Sequence, residues 1–342
     1  MKAMILKKVA PIEEEPLKLE EIPAPQPGPK QILVKISTCG ICHTELDEIE
    51  GRLQPSLPII LGHEIVGRVE SLGPKAAKFK LEDRVGIAWI NSACGKCDFC
   101  RRGNENLCPD FLGTGCNANG GYSEYTVVSE DFAYPIPDGF SDSTAAPLLC
   151  AGSIGYRALK LTGLHDGQIL GLFGFGASAH IVIQIAKHKY PNCKVFVFTR
   201  PKQKDHQELA TKLGADWVGA TGETPPEKPN CAIDFTPVWN PVVEAMKVME
   251  KGGRLVINAI RKEERDKDSL LKLDYPAHLW LEKEIKSVAN ITRADAEEFL
   301  PLAAEIPIAP QIQEFKLEEA NKALILLKQG KIQGAGVLKI SE

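Results

Sequence analysis

The sequence predicts an α/β protein of two domains, one rich in β-strands and one built on a doubly wound parallel sheet. Its 342 residues, 44% of them hydrophobic, are enough to bury two separate cores. Short apolar runs bounded by Pro and Gly fill roughly the first 150 residues. Near residue 152 the pattern changes to apolar strands that alternate with amphipathic helices, which is typical of a parallel sheet.

The composition excludes several classes of partner. The formal charge is -4, with 41 basic residues scattered among 45 acidic ones, so there is no basic field for nucleic acid or an anionic membrane. The N-terminal MKAMILKKVAPIEEEP has no apolar run of signal length, and no segment approaches the ~18 apolar residues of a membrane span. We therefore expect a cytoplasmic protein. In such a chain, 10 cysteines indicate metal binding rather than disulfides.

The predicted strands of the first domain are short and bounded by turns. The first is ILVKIS (32–37), which lies between the Pro/Gly-rich APQPGPK and the turn at Cys39-Gly40. EIVGRVESLG and DRVGIAWI continue the pattern farther along the chain. These segments predict a β-rich domain over residues 1 to about 150.

Two strong metal-ligand candidates, Cys42 and His63, lie among these strands. A thiolate and an imidazole suit zinc, and a catalytic zinc takes three protein ligands with one position left open. Cys150 is the best third candidate, because its apolar, Gly-bounded segment directly precedes a nucleotide-binding pattern. Three alternatives stay open: Cys39 lies in the same turn as Cys42, His63 could be an ordinary core histidine, and Cys150 could be a core thiol.

A second metal site is predicted by four closely spaced cysteines. Such a set can wrap one tetrahedral zinc with no vacant position, which makes the site structural rather than catalytic. An iron–sulfur cluster is the minor alternative. The exposed lobe that would hold this zinc covers about residues 91–110, and its ligands are Cys94, Cys97, Cys100 and Cys108.

The second domain opens with a strand, a glycine motif and a helix. The apolar strand 169–173 leads into G-x-G-x-x-A, where Gly174 permits a tight turn and Gly176 lets a pyrophosphate approach the helix N-terminus. A glycine turn without any ligand is the alternative. The residues predicted to meet a dinucleotide here are Gly174, Phe175, Gly176, Ala177 and Ser178.

The end of the next strand, KVFVF (194–198), predicts which dinucleotide is bound. An acidic residue at this position would bind the ribose 2′-hydroxyl of NAD, whereas a basic residue suits the 2′-phosphate of NADP. Here the strand ends in Thr199-Arg200, with Lys202 and Lys204 beyond. The pattern favours NADP(H), with NAD(H) as the alternative if this basic loop is merely solvated.

The rest of the chain continues the alternation and then returns to helices. AIDF, a helix near 241–251 and RLVINAI support the doubly wound sheet. After residue 292, TRADAEEFLPLAAEIP and KLEEANKALILLKQGKI predict two amphipathic helices, and AGVLKI predicts a closing strand.

Several of these motifs together resemble one enzyme family. Gly62-His63-Glu64-x2-Gly67-x5-Gly73, with Cys42-His43-Thr44 upstream, is similar to the zinc-containing alcohol dehydrogenases of the medium-chain dehydrogenase/reductase superfamily. The match continues through the four-cysteine lobe, LLCAG and GFGASAH, and is closest to the bacterial group near the cinnamyl alcohol dehydrogenases. The resemblance implies a GroES-like catalytic domain (1–151 and 293–342), a Rossmann domain (152–292) and an active site between them.

The resemblance also implies roles for residues near the catalytic zinc. It selects Cys42 over Cys39 as the ligand, and it implies that Thr44 passes on the proton of the alcohol. Asp47 stands where many relatives have a His that relays this proton. Glu64 would be a partner of the ligands or a transient ligand itself, with a purely structural pairing as the alternative.

Further roles follow from the same resemblance. Glu45 matches an acid, usually Asp, that would hold the tautomer of His63, and His43 would touch the cofactor pyrophosphate. Ile154 stands where many relatives have a Thr near the nicotinamide. The side chains that would line an apolar substrate pocket are Leu53, Trp89, Ile90 and Ile154.

The function implied by the resemblance is reversible hydride transfer between a primary alcohol, aliphatic or aromatic, and NADP(H) or NAD(H). Two zinc ions per subunit and a homodimer or homotetramer belong to that expectation. The alternatives are a polyol dehydrogenase of the same superfamily and a catalytically idle relative that serves as a binding or structural protein.

Overall fold

The computed structural model describes residues 1–306, 308, 310–332 and 334–341, and the chain divides into two units. The first unit comprises Met1–Ser153 and Ile291–Glu342, and the second comprises Ile154–Asn290. Each boundary therefore lies two residues from the predicted one. In the described part of the chain, no helix is both long and apolar enough to span a bilayer.

The first unit contains most of the strands, and its C-terminal segment adds two more. Its strands are β1 (Lys2–Leu6), β2 (Leu17–Glu21), β3 (Gln31–Ile41), β4 (Ile59–Ile60), β5 (Ile65–Leu72), β6 (Arg84–Ile87), β7 (Ile90–Ser92), β8 (Leu112–Gly113), β9 (Tyr125–Ser129), β10 (Ala133–Pro135), β17 (Ile312–Lys316) and β18 (Ala335–Lys339). Its helices are α1 (His43–Ile49), α2 (Asp98–Arg101), α3 (Asp142–Ala145), α9 (Arg293–Glu305) and α10 (Ala320–Lys328), while α4 (Ala151–Thr162) begins here and continues into the second unit.

Strand β3 organises the first unit because it pairs with three other strands of a seven-stranded sheet. The sheet runs β10-β6-β5-β3-β18-β17, and β9 also pairs with β3. Alternate residues Ile32, Val34 and Ile36 are fully buried, as expected for a strand with one face on the core. The antiparallel pairing of β18 sets Val337 opposite Gly40, so the end of the chain supports the strand that leads into Cys42.

The second unit is a six-stranded parallel sheet with helices between its strands. Its elements are β11 (Ile169–Phe173), α5 (Ala177–Lys189), β12 (Lys194–Thr199), α6 (Lys204–Lys212), β13 (Trp217–Ala220), β14 (Cys231–Asp234), α7 (Asn240–Val248), β15 (Arg254–Ile257), α8 (Tyr275–His278) and β16 (Glu284–Ser287). The strand order is β13-β12-β11-β14-β15-β16, and every pairing is parallel. All five residues of β11 are buried, which explains its continuous apolar run.

The predicted α/β class, with one β-rich part and one parallel sheet, is confirmed, and the differences concern element ends and one missed strand. The predicted strand 169–173 has those same bounds as β11, whereas DRVGIAWI is divided into β6 and β7. The last predicted helix starts as a 3-10 turn at Leu317–Glu319 before α10. Sequence periodicity missed β17, because its sequence IQEFK has only two apolar residues, three positions apart, and only Phe315 is buried.

Candidate metal centre and nucleotide site

Cys42 stands at the junction between β3 and α1. Strand β3 ends at Ile41, and Cys42, still extended at φ -121° and ψ 163°, is the residue on which α1 begins. Its Sγ lies 3.9 Å from the Sγ of Cys150, a residue between a 3-10 turn and α4. Cys39, the competing candidate, is fully buried, and its thiol faces the backbone oxygen of Gly40 at 3.6 Å.

His63 is held in place by a buried carboxylate. Glu45 is fully buried, and its Oε1 lies 2.6 Å from Nδ1 of His63. Its other oxygen, Oε2, accepts a hydrogen bond of 2.8 Å from the backbone N–H of Cys42. The longer side chain of Glu therefore reaches the imidazole, and Nε2 remains for a metal.

A glycine makes this position of His63 sterically possible. Gly62 has φ +97°, and a Cβ on it would approach the ring of Tyr122 to 2.5 Å and the thiol of Cys39 to 2.8 Å. Only glycine fits that turn, so Gly62 fixes the backbone immediately before the candidate ligand.

The donor atoms fit a zinc ion. One ligand atom each from Cys42, His63, Glu64 and Cys150 all lie within 4.8 Å of one another. Two sulfurs that each bind a tetrahedral zinc at ~2.3 Å would be ~3.8 Å apart, close to the 3.9 Å between Cys42 and Cys150. The hydrogen bond from the Cys150 thiol lowers the pKa of Cys42, so one sulfur favours the thiolate that a metal requires.

Glu64 reaches the same donor set through a gap left by a glycine. A Cβ on Gly40 would lie 2.1 Å from Oε2 of Glu64, so this carboxyl group occupies the space above the β3 backbone. Burial raises the pKa of Glu64, and the negative charge of Cys42 raises it further. A divalent cation at this point would offset that repulsion.

The other predicted residues of this region surround α1. Thr44 is buried, and its Oγ1 lies 3.5 Å from Sγ of Cys42. Asp47 is also buried, and its Oδ1 forms a 2.5 Å ion pair with Nε of Arg52. The sequence did not reveal that pairing. His43 is exposed.

The four lobe cysteines converge as a separate set. One sulfur from each of Cys94, Cys97, Cys100 and Cys108 lies within 4.8 Å of the others. The pKa of Cys94 is lowered to about 6 by the backbone N–H groups of Lys96 and Cys97, while burial raises that of Cys100 to about 12. Four convergent sulfurs leave no open coordination position, as a structural zinc site requires.

A buried carboxylate connects this lobe to the C-terminal segment. Glu105 is buried, and its Oε1 accepts hydrogen bonds from the backbone N–H of Arg293 at 2.7 Å and from its Nε at 3.0 Å. Arg293 is the first residue of α9. The lobe therefore contributes to the cohesion of the first unit.

The glycine motif of the second unit forms a tight turn before the N-terminus of α5. Gly174 has φ +85°, and a Cβ on it would lie 2.9 Å from Cγ2 of Thr236. Gly176 immediately precedes α5, and a Cβ there would meet no atom within 4 Å. The helix N-terminus is thus open to an approaching anion. Ala177 and Ser178 form its first turn.

The remaining predicted cofactor residues differ in accessibility. The Phe175 side chain is buried, so only its backbone can face a ligand. Thr199 is buried too, and its Oγ1 accepts a 2.9 Å hydrogen bond from Nε2 of Gln207. Arg200 is exposed, and Ile154 is half-buried at the start of the second unit.

The residues predicted to line a substrate pocket fall into two groups. Trp89 is half-buried, and its ring meets that of His63 edge-on, with centroids 5.2 Å apart. Leu53 is half-buried as well. Ile90 is 3% exposed and belongs to the core of the first unit, so its predicted role in a pocket is not supported by its position.

Sequence reasoning missed a buried acidic group near the candidate metal ligands, Glu48. It follows Glu45 by three residues on α1, is fully buried, and neither carboxyl oxygen has a hydrogen bond of ordinary geometry within the described residues. The thiol of Cys116 lies beside it, and burial together with the charge of Glu48 raises the pKa of Cys116 to about 12. The i, i+3 spacing of the two acids was the available signal.

Comparison with known proteins gives a consistent set of relatives. Residues 28–138 match the model of the alcohol dehydrogenase GroES-like domain. A Mycobacterium tuberculosis protein named "Probable alcohol dehydrogenase AdhA" is 41% identical over 346 residues, covering 99% of this chain and 97% of that protein. The "NAD-dependent alcohol dehydrogenase" of Sulfolobus acidocaldarius is 34% identical and matches over 100% of both chains. The solved alcohol dehydrogenase of Aeropyrum pernix superposes with a TM-score of 0.85 at 26% identity, over 99% of this chain and 100% of that one.

Replacing Glu48 by Gln should change how stability depends on pH. Burial, aided by the charge of Glu45, raises the pKa of Glu48 in the folded protein, whereas the unfolded chain has the ordinary value. Below the unfolded pKa both states are protonated, so this group has no effect on stability. As the pH rises above that value, the wild type should lose stability relative to Glu48→Gln by up to about 1.4 kcal/mol per pH unit.

Urea unfolding from about pH 5 to pH 8 measures this difference. Glu70→Gln, at an exposed strand position, is the control and should give a constant difference from the wild type. If the difference in unfolding free energy between Glu48→Gln and the wild type were also independent of pH, ionisation of Glu48 would not destabilise the folded protein.

Proposed function

The chain belongs to the alcohol dehydrogenase family, and on that premise we propose that it is a zinc-dependent enzyme that interconverts primary alcohols and aldehydes with a nicotinamide dinucleotide. The observation that carries the proposal is the convergence of Cys42, His63 and Cys150, two sulfur donors and one imidazole, within 4.8 Å. Three such donors are the ligand number of a catalytic zinc with one open position.

Zinc held by these residues would supply Lewis-acid chemistry that lowers the pKa of an alcohol hydroxyl. The chain itself orients the ligands. The Glu45 carboxylate lies against Nδ1 of His63 and accepts a hydrogen bond from the backbone N–H of Cys42, which leaves Nε2 and Sγ available to one ion. The apolar faces of Trp89 and Leu53 favour an aliphatic or aromatic alcohol over a sugar.

The proton of the alcohol is assigned to Thr44. A hydroxyl can donate and accept at once, so it can pass on a proton without holding charge. Its Oγ1 lies 3.5 Å from a candidate ligand atom, within the same turn. Asp47 is the proposed far end of the route, although its carboxylate is engaged by Arg52.

The dinucleotide, which accepts or returns the hydride, is assigned to the second unit. The open N-terminus of α5 beyond Gly176 suits the pyrophosphate. The exposed Arg200 at the end of β12 favours the 2′-phosphate of NADP(H). NAD(H) is the alternative, and the name of the Sulfolobus acidocaldarius relative supports it.

Two other functions can be distinguished from this proposal, one by substrate preference and one by the candidate metal ligands. A polyol dehydrogenase would oxidise sorbitol faster than benzyl alcohol. A catalytically idle relative has no need of zinc ligands, whereas both candidate ligand sets of this chain converge in separate clusters.

The first test separates the duties of the two metal sites. Cys42→Ala should abolish oxidation of benzyl alcohol and hexanol with little change in melting temperature. It removes one ligand of the catalytic zinc and leaves the four-cysteine lobe intact. The matched Cys97→Ala should lower the melting temperature by roughly 10 °C or more, since a structural zinc contributes binding energy to folding. Initial rates, thermal melts and zinc analysis measure these effects. One zinc or none per chain in active wild-type protein would contradict the assignment.

Arg200→Asp should reverse the cofactor preference. It replaces attraction to a phosphate by repulsion, and we expect at least a tenfold rise in KM for NADP(H), about 1.4 kcal/mol, with improved use of NAD(H). Lys212→Asp, the same charge change at the exposed far end of α6, is the control. A wild type with higher kcat/KM for NAD(H) would overturn the NADP assignment.

Thr44→Val should depress both directions of the reaction by about 10² to 10⁴-fold, because it removes the hydroxyl but keeps the branched shape. Thr44→Ser, which retains the hydroxyl, should keep most of the activity. The measurement is kcat for alcohol oxidation and aldehyde reduction at saturating substrate. Wild-type kcat in Thr44→Val would mean that the proton leaves through water alone.

A further inference from the structure

A buried ion pair lies at the carboxyl end of β14 in the second unit. Asp234, the last residue of that strand, is fully buried, and the side chain of Lys262 is 7% exposed. The Nζ of Lys262 contacts Oδ2 of Asp234. Burying two charges is costly, and well-packed apolar residues often stabilise a fold equally well. The pair therefore calls for an explanation other than stability.

The ammonium group of Lys262 donates three hydrogen bonds, one to Asp234 and two to a short segment that follows it. Besides Asp234, Nζ donates to the carbonyl oxygens of Thr236 at 2.8 Å and Val238 at 2.9 Å. Asp234 binds the same segment from the other side, because its Oδ1 accepts from the N–H of Thr236 at 3.0 Å and from its Oγ1 at 2.7 Å. The two charges thus fix the course of residues 235–238.

This segment stands beside the glycine turn that was assigned to the pyrophosphate. Cγ2 of Thr236 would lie 2.9 Å from a Cβ on Gly174, so the Thr236 side chain packs directly against the backbone of the glycine turn. The N–H of Phe235 also donates to the carbonyl of Phe173, the last residue of β11, at 2.9 Å. A shift in the backbone of residues 235–238 would therefore displace the glycine turn.

The sheet topology makes this position significant. From β11 the chain proceeds to β12 and β13 on one side and then returns to β14 on the other side of β11. In open parallel sheets, ligands bind outside the carboxyl ends of the strands where the order reverses in this way. The end of β14 and the glycine turn after β11 are the two sides of that crevice.

A second carboxylate secures the far end of the segment. Asp266 accepts hydrogen bonds from the N–H groups of Trp239 and Asn240, at 2.9 Å to Oδ2 in each case, at the start of α7. The Trp239 ring lies 5.8 Å from Nζ of Lys262. The wall formed by residues 235–238 is therefore fixed at both ends.

We propose that Asp234 and Lys262 are positioning residues that hold residues 235–238 as one wall of the dinucleotide crevice and thereby set the affinity for the cofactor. The inference rests on the proposed function, in which the second unit binds NADP(H) or NAD(H). Neither side chain needs to touch the dinucleotide, since both act through the backbone of the segment.

The test is a charge-balanced double variant, Asp234→Asn with Lys262→Met. It leaves no unpaired buried charge but removes the donors to the Thr236 and Val238 carbonyls. We expect it to melt within a few degrees of the wild type, while the Kd for NADPH or NADH, measured by calorimetry, rises about tenfold or more. At saturating cofactor, kcat should change by less than about threefold, because the loss is one of cofactor affinity.

Two further variants keep the test decisive. Thr236→Val removes only the hydroxyl that binds Asp234 and should weaken cofactor binding about threefold even if the double variant fails to fold. Arg254→Met with Glu284→Gln removes a half-exposed ion pair at the first residues of β15 and β16, together with the hydrogen bond from Arg254 to the Leu161 carbonyl, and should leave Kd unchanged. A folded double variant with a Kd within twofold of the wild type would overturn the inference, as would Thr236→Val with an unchanged Kd. A wild type that binds neither dinucleotide would instead overturn the proposed function.

Discussion

The carboxylate of Glu45 is the interaction on which the candidate metal centre depends. It joins the backbone of one candidate ligand, Cys42, to the imidazole of another, His63, although the two are 21 residues apart in the chain. Because it lies in the first turn of α1 and is fully buried, its direction is set by the helix rather than by solvent. The glycine turn at Gly62 and the sulfur of Cys150 then complete the donor set.

The same arrangement concentrates negative charge in a buried place. Glu48 and Glu64 lie near Glu45, and burial raises the pKa of both. Acidic groups of this kind are costly in a protein interior unless a cation or hydrogen bonds offset them. Both the donor chemistry and this accumulated charge are explained if a divalent cation resides among Cys42, His63 and Cys150.

The sequence predicted those features that depend on local spacing. The four lobe cysteines, the glycine motif and strand β11 are short-range patterns, and the structure brings their residues together as expected. The α/β class was predicted from the change near residue 152, where short strands give way to apolar strands that alternate with amphipathic helices. Family resemblance, rather than spacing, was needed to prefer Cys42 over Cys39.

Features that depend on tertiary neighbours could not be predicted in this way. The pairing of Asp47 with Arg52 is close in sequence but relies on the turn after α1. The contact of Glu48 with Cys116 and the pair of Asp234 with Lys262 join residues 68 and 28 positions apart, which no periodicity encodes. Strand β17 is defined by its parallel pairing with β18, which lies more than 20 residues later in the chain.

Anomalous diffraction at the zinc absorption edge, from crystals of the protein purified without added metal, tests the central claim most directly. The account predicts two peaks per chain, one among Cys42, His63 and Cys150 and one among the four lobe cysteines. A single peak in the lobe, with Cys42 and Cys150 free of metal in an enzymatically active crystal, would contradict it.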